Sequence, residues 1–167
     1  MTTAELETVA QEALARYLPI IDEMITGPCP ATDFEDGTGY GSPTHVVRVL
    51  RTSQDFWDDE YHKALQQADA EMSAALDALA TALTVRWGDP LVVDLWSYLT
   101  AGYEGRRGPE LIERLSQNAG SLQAWPVPDA GRWIGLTVGQ HDTELPLELT
   151  AVVSHTPLPA ASAADTY

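Results

Sequence analysis

The chain has 167 residues, with nine Lys and Arg against 25 Asp and Glu for a formal net charge of −16, and 44% of its residues are hydrophobic. A chain of that length suits one domain whose core buries roughly two thirds of the surface exposed by the unfolded form. Such a charge repels DNA, RNA and anionic lipid, which excludes a nucleic-acid-binding or membrane-surface protein and favours a cationic partner.

Residues 1–60 hold twelve of the acids against Arg16, Arg48 and Arg51, so the acidity is front-loaded. Cys29 is the sole cysteine, which leaves no internal disulfide framework. The opening MTTAELETVAQEALARYL has neither a basic leader nor an uninterrupted apolar run. No stretch reaches the ~20 apolar residues that span a bilayer, so the cytoplasm is the expected compartment.

Taken in order, Thr2 with Glu5 forms a capping box, and Leu6, Val9, Ala13, Leu14 and Tyr17 recur at helical spacing. Pro19 ends or kinks that first helix, because it donates no backbone hydrogen bond. The stretch TGPCPATDFEDGTGYGSP, residues 26–43, is rich in Gly and Pro around Asp33, Glu35 and Asp36 and reads as a long loop, a candidate binding or lid segment. THVVRVLRT, residues 44–52, reads as a strand with Val47, Val49 and Arg51 on one side.

A long helix follows, from about residue 54 to 86 and ~48 Å in length. Trp57, Tyr61, Leu65, Ala68, Met72, Ala75, Leu76, Leu79 and Leu83 form its apolar stripe. Gly88 and Pro90 stop it. LVVDLWSYL, residues 91–99, reads as a strand with a short helix as its rival, and Pro109 opens a short helix that Gly120 ends. LQAWPV, RWIGLTVG and LELTAVVSH then make a three-stranded meander.

These pieces assemble into an α+β fold. A mainly antiparallel sheet of about four or five strands carries one long amphipathic helix, with the N-terminal helix beside it. Residues 1–155 form the domain, and the small, polar residues 156–167 are expected to be a disordered tail.

The densest chemistry lies in WDDEYHKALQ, residues 57–66. Helical register sends Trp57 and Tyr61 inward and leaves Asp55, Asp58, Asp59, Glu60 and His62 on an outward first turn, where carboxylates meet the unpaired amides and the dipole. No third metal ligand lies in sequence reach. A calcium loop starting at Asp33 puts Gly37 at position five and no acid at twelve, and GTGYG has no following helix to hold a phosphate. Cys29 has no basic sequence neighbour, and Ser42 lacks a nucleophile elbow. No cofactor or metal is expected and no catalytic residue stands out.

Eight Arg against one Lys with abundant Ala resembles the coding bias of a GC-rich, actinobacterial-type genome. Size, acidity and aromatics mixed with acids resemble small acidic bacterial immunity and inhibitor proteins. That resemblance implies a module that masks a basic surface of a toxin or enzyme. The partner surface expected from the residues is Asp33, Phe34, Glu35, Asp36 and Tyr40 of the loop with Asp55, Asp58, Asp59, Glu60 and His62 of the helix start. Two alternatives remain open: a small ligand-binding or enzymatic domain using a pocket between sheet and helix, with His62, or Trp133 and His141, near its mouth; and an oligomeric accessory protein, a homodimer for example.

Overall fold

A computed structural model of the protein describes residues 2–53, 61–142 and 145–165. The first helix, α1 (Thr3–Arg16), starts at the expected capping box: Thr2 Oγ1 accepts from the Glu5 amide at 3.2 Å, and Glu5 Oε2 accepts from the Thr2 amide at 3.1 Å. The break comes at Tyr17, and α2 (Leu18–Thr26) carries Pro19 in its first turn, where a missing N–H costs nothing. At the far end of α2, the Arg132 guanidinium donates to the carbonyls of Met24, Ile25 and Gly27, serving the orphan acceptors that every helix end leaves.

Among the described residues there are seven strands, all paired antiparallel in one sheet. They are β1 (Phe34–Asp36), β2 (Gly39–Ser42), β3 (His45–Thr52), β4 (Leu91–Asp94), β5 (Ser121–Val127), β6 (Arg132–Gln140) and β7 (Leu147–Ser154), in the spatial order β1-β2-β3-β7-β6-β5-β4. The expected meander is present as β5, β6 and β7, and the expected strand at 44–52 is β3. The long helix is α3, described from Tyr61 to Trp87. Trp57 and the rest of residues 54–60 lie outside the described residues, as do the side chains of Tyr61 and His62.

Two apolar layers sandwich the sheet. On one face, Ile21 of α2 and Met72, Leu79 and Leu83 of α3 are fully buried against Trp125, Ile134, Leu136 and Leu149. Ala68, Met72, Ala75, Leu79 and Leu83 of the expected stripe are buried and recur every three or four residues, and Leu65 and Leu76 are partly buried beside them. The other face holds α4 (Leu95–Tyr103) and α5 (Glu110–Ser116), whose Leu95, Tyr98, Ile112 and Leu115 pack on Val93, Leu122, Ala124 and Trp133.

Several expectations need correction. The sheet has seven strands rather than four or five, because residues 34–42 form a hairpin and residues 91–94 a strand. LVVDLWSYL is not one strand: Asp94 ends β4 and caps α4, its carboxylate accepting from the Ser97 amide at 3.3 Å. The long helix is not the only cover, since α4 and α5 pack on the other face of the sheet. In β3 a bulge between Val49 and Arg51 breaks the alternation. Arg51 therefore does not share a side with Val47 and Val49 but meets Glu71 of α3 at 3.2 Å.

Residues 156–165, which composition marks as disordered, lie along the outer layer in this structure. The Trp133 indole donates to the Thr156 carbonyl at 2.9 Å, the Tyr98 hydroxyl to the Ala160 carbonyl at 2.7 Å, and the Asp94 amide to the Ala161 carbonyl at 2.7 Å. Ala163 is buried. Among the described residues no helix is long and apolar enough to cross a membrane.

Candidate functional site

The hairpin of β1 and β2 forms the free edge of the sheet, and its turn explains the glycines of DGTGYG. Asp36 Oδ1 accepts from the Thr38 amide at 2.8 Å and from the Thr38 hydroxyl at 2.6 Å, closing an Asx-type turn. These bonds hold the Asp36 carboxyl below the usual carboxylate range. Gly39 adopts φ +146°, and a Cβ there would sit 2.0 Å from the Val47 carbonyl oxygen. Only glycine fits the point where β2 crosses so close to β3.

Cross-strand register aligns Glu35, Tyr40, Val47, Val152 and Gly135 in one row and Val49, Thr150 and Thr137 in the next, followed by Glu148 beside Gly139. The outer layer covers the β4 and β5 end of this face but stops short of the hairpin. A cleft of about 230 Å³ remains, floored by Val47, Val49, Thr137, Gly139 and Thr150 and walled by Leu115, Asn118 and Ala119. Gly139 lets the chain after α5 descend onto β6: a Cβ would stand 2.9 Å from the Asn118 carbonyl oxygen, which accepts from the Gln140 amide at 2.8 Å.

Charged groups stand at both ends of the cleft. At the hairpin end Arg114 of α5 pairs with Glu35 and lies over the Tyr40 ring, its guanidinium carbon 3.4 Å from the ring centroid. An exposed ion pair contributes ~0 to 1 kcal/mol and an exposed cation–π contact ~0.5 to 1 kcal/mol, so the trio positions the wall more than it stabilises the fold. Burial pushes the Tyr40 phenol up to about 12, which keeps it neutral at physiological pH. At the far end His141 Nε2 meets Glu148 Oε1 at 2.9 Å, with the imidazole largely in solvent and the carboxylate mostly covered.

Behind the Arg114 wall a wider, shallower hollow of about 560 Å³ opens between Asp33, Phe34, His45 and Glu110. His45 Nδ1 lies 3.2 Å from the Ser42 hydroxyl and 3.1 Å from that of Thr44. Partial burial lowers the His45 pKa, against the opposing fields of Glu110 and Asp33. The imidazole is therefore mainly neutral at pH 7.

Of the ten residues expected to meet a partner, Asp33, Phe34, Glu35, Asp36 and Tyr40 come together around this hairpin and its two hollows. Asp55, Asp58, Asp59 and Glu60 lie outside the described residues, and so does the side chain of His62. The chain leaves the sheet towards them at Ser53, whose amide donates to the Leu147 carbonyl at 2.9 Å next to Glu148. Trp133 is buried beneath residues 156–163 and not at any mouth, whereas His141 does line the cleft.

Sequence reasoning missed Arg114, Glu148 and the closure of the cleft by Asn118. Arg106 and Arg107, in the loop between α4 and α5, meet Glu104 at 2.6 Å and Glu113 at 3.8 Å. Cys29 has Arg132 nearby, yet burial outweighs that charge and pushes its thiol pKa up. Among the described residues no group of three or more His, Cys, Asp and Glu is placed to hold a metal ion. The chain matches no protein-family model, no curated protein and no solved structure.

Proposed function

We propose that this chain is an acidic protein-binding module of the immunity or inhibitor type, which masks a basic surface of a toxin or enzyme in the cytoplasm. The observation that supports it best is the hairpin. Among the described residues β1 is an exposed edge strand with no strand on its outer side, and it carries Phe34, Glu35 and Asp36 with Asp33 just before it. Edge strands invite pairing by another chain, and charges on the edge select which chain can approach.

The same acids would steer a cationic partner in a chain of net charge −16, while Phe34 and Tyr40 supply aromatic anchor surface. Strand β3 ends at Thr52 on the same side of the sheet as the hairpin turn, where the Val49 amide donates to the Thr38 carbonyl at 2.9 Å.

The test is capture from the native host with the wild-type chain and with Asp33→Lys, which is free of both the Arg114 pair and the Asp36 turn. The reading expects a basic protein that the wild type retains at low salt and releases as salt rises, and that the variant fails to hold. A partner held equally by both, or no cationic partner at all, contradicts it.

A further inference from the structure

We infer that the cleft between α5 and the sheet is a binding site for a small organic cation with an apolar body, a second capacity that does not depend on the protein-binding reading. The floor supplies the first argument. Half-buried Val49 and Thr150 line an open cavity in the middle of the sheet, with buried Val47 and Thr137 completing its floor. At about 230 Å³ the space falls below the ~300 Å³ at which drug-sized sites begin, so the ligand is smaller than that.

Charge gives the second argument. Glu35, Asp36 and Glu148 line the cleft against Arg114, whose guanidinium is already committed to Glu35 and Tyr40. An anion would have to displace a carboxylate from Arg114 inside a strongly negative field. A cation meets no such obstacle at the other end, where Glu148 is mostly covered and accepts only from the exposed His141 ring among the described residues. Focused in a low-dielectric hollow, that carboxylate attracts an ammonium more strongly than an exposed one would.

Unused hydrogen-bonding capacity gives the third. Thr150 and Asn118 line the cleft, and neither side chain has a hydrogen-bond partner among the described residues. The arrangement orients the ligand: its ammonium sits between Glu148 and Thr150, and its apolar body lies over Val49 towards Leu115 and Tyr40.

Phenethylamine is the probe, with 2-phenylethanol and 3-phenylpropanoate as its neutral and anionic counterparts, titrated into the full chain while backbone amide shifts are followed. The expected result is saturable shifts at Val49, Thr137, Gly139 and Thr150 below about 10 mM amine, with the alcohol weaker and the acid silent. Glu148→Gln, which keeps the side-chain shape, should weaken the amine by roughly tenfold and leave the alcohol unchanged. Four results would overturn the inference: no saturation by the amine, equal or tighter binding of the acid, shifts centred on another surface, or an amine affinity indifferent to Glu148→Gln. None of these outcomes depends on whether a protein partner is found.

Discussion

Single residues decide whether the candidate site exists at all. Gly39→Ala puts a methyl group against the Val47 carbonyl and forces an L-residue into φ +146°, so it should cost about 1 to 3 kcal/mol in urea unfolding. Gly37→Ala, two residues away with open space around its Cβ and no such backbone angle, should change stability by about 0.5 kcal/mol or less. Equal costs at both positions would remove the close β2–β3 approach from the account. His45 adds a pH dependence whose direction follows from burial. Its folded pKa lies below 6.5, so the unfolded chain takes up the proton first. The stability that this group contributes is complete above about pH 6.5 and is lost as the pH falls through the folded value. Urea midpoints of the wild type should therefore drop between about pH 7 and 5 more steeply than those of His45→Gln. Parallel curves would show that the imidazole titrates alike in both states.

At the scale of elements, α3 holds one layer of the fold together. Leu79 is fully buried between α3 and the sheet, whereas Val85 on the same helix is 84% exposed. Leu79→Ala should lower the unfolding free energy by about 2 to 5 kcal/mol, and Val85→Ala by no more than about 0.5 kcal/mol. The stripe behind this contrast was legible because a core helix prints its packing as periodicity. The hairpin was not: β1 has three residues, none of them buried, and its pairing with β2 comes from the turn at Asp36 and from β3 rather than from strand propensity. Residues 91–99 show a signal that could have been read, since an Asp ahead of an apolar run is a favoured helix N-cap and splits strand from helix at Asp94. The covered second face was hidden for another reason. Helices α4 and α5 are short, and their fit to Trp133 and Leu122 is a property of the assembled sheet.

For the whole molecule, the layered arrangement leaves one region both open and acidic. The sheet's β4 edge carries a hydrogen bond from the Asp94 amide to the Ala161 carbonyl, while β1 has no strand beyond it among the described residues. The residues that line the hairpin side of the two hollows were legible as an acidic, Gly-rich stretch. The groups that turn the stretch into a site, Arg114 and Glu148, lie 79 and 113 positions beyond Glu35 and meet it only through the fold. A second apolar surface, with Trp96 65% and Tyr103 80% exposed on α4, lies towards the opposite edge and is the natural competitor for any protein contact. Backbone hydrogen exchange of the chain, with and without the basic partner recovered from its host, separates the two surfaces directly. The account predicts new protection at residues 33–42 with α4 unchanged. Protection confined to residues 92–103, with the hairpin exchanging as freely as in the unbound chain, would contradict it.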